Sequence, residues 1–422
     1  MKFIKNLSLN EFATFEQKHP LSRFMQTTDQ YSLVELNKPV GCIGVKDDND
    51  NLIAAAFYFV DKAKLGDVYS IKGGPLMDYT DFKLVKFFMN SAEEYFKQQK
   101  KALAFRITPP IDLEEIDDNG KVVKKMNTAF IDEMKSLGYQ WNPEEPITDN
   151  VYPGVGLGYE YRKDLTKISS KDELRKSYIS QARNDVKRAE KFGVYIDKLT
   201  YDQLGEFKKE TEATADRRDF RDKPLEFYQN GYNAYGNHVY YLMVRLNLND
   251  FIKRNQQEID ELTEKVDKLK ERLEKKESKK LFGRKNEFES QIQIKKRNTQ
   301  QAKKEQREYG NVITLSGGMF YLHPQELAYL FSFNNKKFGN YHGQHLLHDY
   351  MLQLALKEKI PTYNFYMITG KFDGSDGVLR FKQSFGGMTY RTIGWFEKPL
   401  NGFLYRIDNM LKKILGRKNN VR

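Results

Sequence analysis

Residues 256–280, QQEIDELTEKVDKLKERLEKKESKK, contain no glycine or proline and are too densely charged to form the interior of a globular domain. Within them Ile259, Leu262, Val266, Leu269 and Leu273 alternate spacings of three and four, the a/d seam of a helical coiled coil. Past the break at KKLFGRKN, Phe288 and Ile292 begin a second helical stretch whose seam is weaker, with Gln and Lys at several expected apolar places. Both ends must return to adjacent strands, so an antiparallel pair fits. About 25 residues per helix, each rising about 1.5 Å, would project it roughly 35–40 Å.

The flanking chain reads as one unit written twice. VGCIGV, the turn-rich KDDNDN and LIAAAFYFV make a hairpin. The strand-like VYSIKGGPLMDY (68–79), a helix over about 81–99 and the buried strand ALAFRI (102–107) follow. The helix is expected because Leu84, Val85, Phe87, Phe88, Tyr95 and Phe96 keep an apolar stripe on one face. The order recurs in HVYYLMVRL (238–246), NVITLSGGMFYL (311–322), ELAYLFSF (326–333), a helix near 343–358 and TYNFYMI (362–368). In the second copy, residues 249–309 stand where the first has a short turn. The expected architecture is α/β, of the α+β kind. Its divisions are a first subdomain over 1–148, a second over 149–248 and 310–400, the arm over 249–309, and a basic amphipathic C-terminal helix over 401–422.

A chain of 422 residues exceeds what one core usually supports. Its 39% hydrophobic and 14% aromatic content argues against disorder, and 30% charged residues against a membrane-embedded protein. The longest apolar run, LIAAAFYFV, falls well short of the roughly 18 residues of a spanning helix. MKFIKNLSLNEFATF lacks the continuous apolar centre of a secretory signal, so a cytoplasmic location is expected. The single cysteine, Cys42 in VGCIGV, excludes an intramolecular disulfide and reads as a buried strand position rather than a catalytic thiol. A net charge of +12 favours an anionic partner: nucleic acid, a phosphorylated substrate or an acidic membrane surface.

Lys275, Lys276, Lys279, Lys280, Arg284 and Lys285 crowd the arm's tip. A spacer or dimerisation arm is the plain reading, and a grip on a polyanion the sharper one. The basic helix SQARNDVKRAEKFGV gathers Arg183, Lys187, Arg188 and Lys191 before a glycine stop at Gly193, either as a solvated face or as a phosphate contact. In FLYRIDNMLKKILGRKNNVR, Leu404, Ile407, Leu411, Ile414 and Leu415 oppose Lys412, Lys413, Arg417 and Lys418. Such a helix either rests on an anionic leaflet or packs on the domain. NYHGQHLLHDY spaces His342, His345 and His348 by three, yet no carboxylate or cysteine spacing completes a site, so helix-surface histidines and no metal are expected. GVGLG (154–158) lacks dinucleotide-loop spacing and reads as a bend, and no Walker loop, GxSxG or HExxH is present. In YNFYMITGKFDGSDGVLRFKQSFGG, Lys382 could place charge beside a developing oxyanion, although the residues alone favour a surface lysine.

GGPLMDY, RNDVKRAEKFGV, the inserted helical pair, and YNFYMITGKF…GVLRFKQSF followed by KPL keep one order along nearly the whole chain. In this combination the chain resembles the FemABX family of tRNA-dependent peptidoglycan aminoacyltransferases. The resemblance implies two GNAT-like subdomains in a duplicated arrangement, with an inserted antiparallel helical coiled-coil arm. It also implies transfer of an amino acid from aminoacyl-tRNA to an amino group of a peptidoglycan precursor, lipid-linked or UDP-linked, with no cofactor or metal. Peripheral contact with the inner face of the cell membrane is implied, and a homo- or hetero-dimer with Fem-like proteins stays open. Phe381 and Lys382 match the family's FK element, the lysine acting at the transition state or the tRNA end. Lys223 and Phe227 fall where relatives bind the sugar nucleotide through arginine and tyrosine, with Tyr228 as the alternative hydroxyl.

The chain also departs from the family. Thr108 stands where relatives often carry aspartate, Glu35 where a phosphate-binding lysine is expected, SFNN (332–335) replaces a glycine/serine stretch, and a Q-x-R element falls in GVGLG. A non-catalytic or weakly active partner subunit is therefore the first alternative. An acyl-CoA-dependent GNAT-type enzyme is the second, although no convincing Q/R-x-x-G-x-G/A stretch is found.

Overall fold

In a computed structural model, described over residues 1–147, 158–218 and 221–414, the body is two sheets of seven and nine strands. Both are built on the same run of pairings. In the first, Val40–Lys46, Leu52–Lys62 and Asp67–Lys72 are successive antiparallel neighbours, and Ala102–Thr108 lies parallel to Asp67–Lys72. In the second, Val239–Asn247, Val312–Leu322 and Leu327–Asn334 are successive antiparallel neighbours, and Thr362–Ile368 lies parallel to Leu327–Asn334. Parallel neighbours need a crossover, which helices Phe82–Lys97 and Gly343–Lys357 supply. Asp81 starts the first of these by accepting from the amides of Lys83 and Leu84, and its Leu84, Val85, Phe88, Met89, Ala92 and Phe96 are buried against the sheet.

The sheets do not divide the chain near residue 148. Asp112–Ile116 and Val122–Lys125 join the second sheet beside Met388–Thr392, whereas Trp395–Pro399 pairs with Ala102–Thr108 and Gln140–Asn142 in the first. This exchange corrects boundaries drawn along the sequence. Periodicity reveals which segments are strands, but β partners are chosen by non-local packing. Separating the halves would break both sheets, and the exchanged strands flank the seam between them.

Helices Leu248–Lys275 and Lys279–Tyr309 form the arm, capped by the side chains of Asn247 and Ser278. Ile259, Leu262, Val266 and Ile292 cluster with Phe288, while Leu273 is only half-buried, so the seam thins toward the tip. The root is rigid. Phe251 and Ala302 belong to the core of the second half, Tyr341 Oη donates to Glu305 at 2.6 Å, and Arg254 Nη2 donates to the Phe192 carbonyl at 2.9 Å.

Helix Gly402–Ile414 lays Leu404 and Tyr405 on Val68, Leu103 and Ala104 and leaves Phe403 and Met410 exposed. Leu415, Arg417 and Lys418 of the basic tail, and most of GVGLG, lie outside the described residues. No described helix is long and apolar enough to cross a membrane. Cys42 is buried in its strand, and burial pushes its thiol up to about 12.

Candidate active site between the two sheets

A solvent-open pocket of about 570 Å³ lies where the sheets meet. Lys72, Gly73 and Thr108 reach it from strand ends of the first sheet, and Glu160, Arg162, Asn364 and Tyr366 from the second. The exchange contributes Asp112 from one side and Gly394 from the other.

Its floor is a buried ion network. Arg162 Nε donates to Glu160 Oε2 at 2.6 Å and Nη1 to Asp112 Oδ2 at 2.7 Å. Asn364 Nδ2 bridges Glu160 and Glu326 at 3.1 Å each, and Glu326 Oε1 accepts the Phe24 amide at 3.2 Å. Arg23 stands 3.8 Å from Glu160. Two carboxylate oxygens escape pairing: Asp112 Oδ1 and Glu144 Oε1 are buried without a hydrogen-bond partner. Burial pushes the Glu144 carboxyl up to about 6, against the pull of Arg391 and Lys72. Glu144 is therefore a pocket-lining carboxylate able to exchange a proton near neutrality.

The opposite character gathers around Lys72. Burial lowers its pKa, and the charges of Lys38 and Lys223 lower it further against the pull of Glu144 and of Asp61, the ion-pair partner of Lys38. The structure thus brings Lys223 toward the pocket, with Nζ 5.5 Å from the Phe227 ring centroid, while Phe227 packs edge-on against Phe331. Tyr228 does not supply the missing hydroxyl. Its side chain is buried and its Oη donates to Asp222 at 2.8 Å. Glu35 is exposed at the end of the helix Thr28–Glu35 and does not line the pocket, whose lining lysine among the described residues is Lys72, which sequence reasoning missed. Nothing local marks Lys72, because its place is set by the parallel pairing of its strand with Ala102–Thr108. Thr108 is also structural here, its Oγ1 accepting the Gly73 amide at 2.9 Å.

Lys382 is buried, which corrects the expectation of a surface lysine. It stands near the end of the short helix Gly377–Gln383, started by Asp376, whose side chain accepts from the amides of Val378 and Leu379. The pairing of Thr362–Ile368 with Tyr159–Asp164 shifts register between Asn364 and Met367, and Tyr366 takes φ 63°, a left-handed conformation unusual for a bulky residue. Lys382 Nζ donates to the carbonyls of both Tyr366, at 3.2 Å, and Met367, at 2.6 Å. It therefore grips the bulge from behind the pocket wall. Burial pulls its pKa down to about 7, with Asp376 and Glu160 opposing. Phe381 packs edge-on against His345 and His348 at 5.0 and 5.3 Å between ring centroids.

The expected surface histidines are also corrected. His348 is fully buried, with Nδ1 2.7 Å from Tyr363 Oη, and burial drives its pKa well down. His342 and His345 face Asp185 of the basic helix Ser180–Phe192, a carboxylate that chain spacing could not reveal. Burial lowers both imidazoles, His345 to about 4.

Of the basic residues read as anion contacts, Arg183 spends Nη1 on the carbonyls of Lys176 and Tyr178, at 3.1 and 2.5 Å, and Arg188 lies 3.8 Å from Asp185. Lys187 is exposed. Lys275, Lys279, Lys280 and Arg284 are exposed at the arm's tip, and half-buried Lys285 pairs with Glu289 at 3.4 Å.

The FemAB family model matches residues 7–413. Aminoacyltransferase FemA of Staphylococcus aureus strain bovine RF122 / ET3-1 is 28% identical over 424 residues, covering 99% of this chain and 100% of that protein. The FemA of strain N315 matches with the same identity and coverage. The structure described as the crystal structure of FemX superposes with a TM-score of 0.77 at 22% identity, covering 96% of this chain and 99% of that one.

Proposed function

The chain belongs to the FemAB family and is an aminoacyltransferase; we propose that it moves an amino acid from aminoacyl-tRNA to an amino group on the peptide of a peptidoglycan precursor, building or branching the interpeptide bridge. The observation that supports this acceptor is the charge order of the pocket. Lys72 in the pocket lining, with Lys223 near it, suits a phosphorylated carrier, and the unpaired oxygens of Asp112 and Glu144 suit an ammonium group. A lipid-linked carrier fits the exposed Phe403 and Met410 on the C-terminal helix, which would touch the inner membrane face.

The reaction is aminolysis. The acceptor nitrogen attacks the ester carbonyl, a tetrahedral oxyanion forms, and the C–O bond to the tRNA ribose breaks as the amide forms. Orientation supplies much of the rate. Glu144 takes the proton that the acceptor must lose and passes it to the departing ribose oxygen, a role Thr108 cannot fill. Lys382 holds the bulge that sets Tyr366 in the pocket wall and adds positive charge behind it. Phe381 fixes the helix that carries Lys382, and the arm's tip and Lys187 take tRNA phosphates.

The test is mass spectrometry of a precursor incubated with purified protein and charged tRNA. An aminoacyl increment that disappears with deacylated tRNA is expected. Acylation only with acyl-CoA, or binding without transfer, would refute the reading.

A further inference from the structure

Away from the pocket, the basic helix and the helix Gly343–Lys357 bring three ligand-type side chains to one point: Asp185, His342 and His345, whose oxygen and nitrogen atoms lie within 4.8 Å of one another. Asp185 is buried, and its two oxygens face different imidazoles, Oδ1 at 3.3 Å from His342 Nδ1 and Oδ2 at 3.8 Å from His345 Nε2. These gaps are wide for hydrogen bonds to a carboxylate, which close to about 2.7–2.9 Å. One ligand atom from each residue lies within 4.8 Å of the other two, so the side chains close inward to reach the edge of a tetrahedron around an ion with bonds of about 2.0–2.1 Å, which is about 3.4 Å.

The backbone places the His342 ring beside Asp185. His342 joins the short helix Lys336–Tyr341, which it ends in the left-handed conformation at φ 56°, ψ 28°, to the helix Gly343–Lys357, and its side chain makes no capping hydrogen bond. The histidine instead turns its ring to Asp185. Gln181 Nε2 donates to Asp185 Oδ1 at 2.8 Å, orienting the carboxylate as outer-shell partners do. Both imidazoles stay about one-fifth exposed, at 18% and 20%, so a fourth position remains open to water.

We propose that Asp185, His342 and His345 bind a divalent transition-metal ion of the zinc class, which cross-links the basic helix to the helix Gly343–Lys357. His345 also packs on Phe381, so the ion would brace the wall that carries Lys382. Arg188, 3.8 Å from Asp185, must swing toward solvent on loading, and its exposed side chain leaves it free to do so.

The experiment uses the full chain, untagged and stripped with chelator. One equivalent of Co²⁺ is expected to give the intense visible absorption of a tetrahedral ion, and Zn²⁺ to displace it and raise the unfolding midpoint. Asp185→Asn and His345→Gln, each checked for a native circular dichroism spectrum, should weaken Zn²⁺ binding at least tenfold. His342→Cys should keep the ion and add a thiolate-to-Co²⁺ charge-transfer band in the near ultraviolet, a signature that no packing role produces. Absence of stoichiometric Co²⁺ absorption, unchanged binding in the two ligand variants, or absence of that band overturns the proposal.

Discussion

Lys382 Nζ donates to the backbone carbonyl of Met367 at 2.6 Å, so an ammonium that burial holds at a pKa of about 7 fastens the bulge of the strand lining the pocket. As pH rises through about 7, Lys382 loses its charge, its grip on the two carbonyls weakens and the positive field behind the wall fades. Turnover at saturating substrates is expected to fall over that range. Lys382→Arg should abolish this decline because guanidinium stays charged. Lys382→Met should lower turnover by about 10²-fold while the protein still melts cooperatively. An unchanged pH profile in the arginine variant would leave Lys382 a packing residue.

Glu144 yields a prediction in two opposite directions. Its folded pKa, about 6, is above the 4.5 of a free glutamate, so between these values the native state holds more protons than the unfolded one. Stability therefore drops as pH rises from about 4.5 to 6, and the charged carboxylate costs about 2 kcal/mol at pH 7.5. Glu144→Gln is expected to raise stability by up to that amount at pH 7.5 and to change it little at pH 4.5. The same variant should lower transfer by about 10²-fold and remove the rise in rate through pH 6. Denaturant unfolding at the two pH values, beside a rate profile, checks both halves.

The ion network below the pocket should be costly to break. Arg162→Met leaves Glu160 and Asp112 buried without their cation, and a loss of about 3–5 kcal/mol is expected in urea unfolding at neutral pH. At low pH, where protonation removes those charges, the deficit should shrink. A deficit that does not change with pH would assign it to lost packing instead.

At the cationic end, Lys72→Ala and Lys223→Ala should each raise the KM for a phosphorylated precursor about tenfold, with kcat nearly unchanged. Rising salt should narrow the difference from wild type. A fall in kcat with unchanged KM would move these lysines from carrier binding to the chemical step.

How much of this was legible in the sequence depended on whether the determining contacts were local. The spacing of Ile259, Leu262 and Val266 marked the arm because helix periodicity is written in consecutive residues. The repeated strand order exposed the duplication for the same reason. The exchange of Trp395–Pro399 into the first sheet was not legible, since its partners lie more than 250 residues away. The site divides in the same way. Lys382 was reached through the resemblance, but its burial depends on a bulge in another strand, and Lys72 and Glu144 enter the pocket through pairings and a loop with no pattern of their own. Asp185 is the clearest case: it stands in a helix read only for its basic face, and its histidine partners lie more than 150 residues downstream.

The arm offers the sharpest separation of binding from scaffolding. The Leu248 amide already donates to the Asn311 carbonyl at 2.8 Å, so the strands that flank the arm meet at its root. Replacing 250–308 by a short turn should therefore leave the body folded. If the tip carries tRNA, this deletion should weaken tRNA binding without changing binding of the precursor. Alanine at Lys275, Lys279, Lys280, Arg284 and Lys285 should reproduce the loss and flatten the dependence of log affinity on log salt by about 0.7–0.9 per phosphate contact removed. Filter binding over a salt series measures that slope. Equal slopes and affinities for the variant and the intact chain would make the arm a spacer.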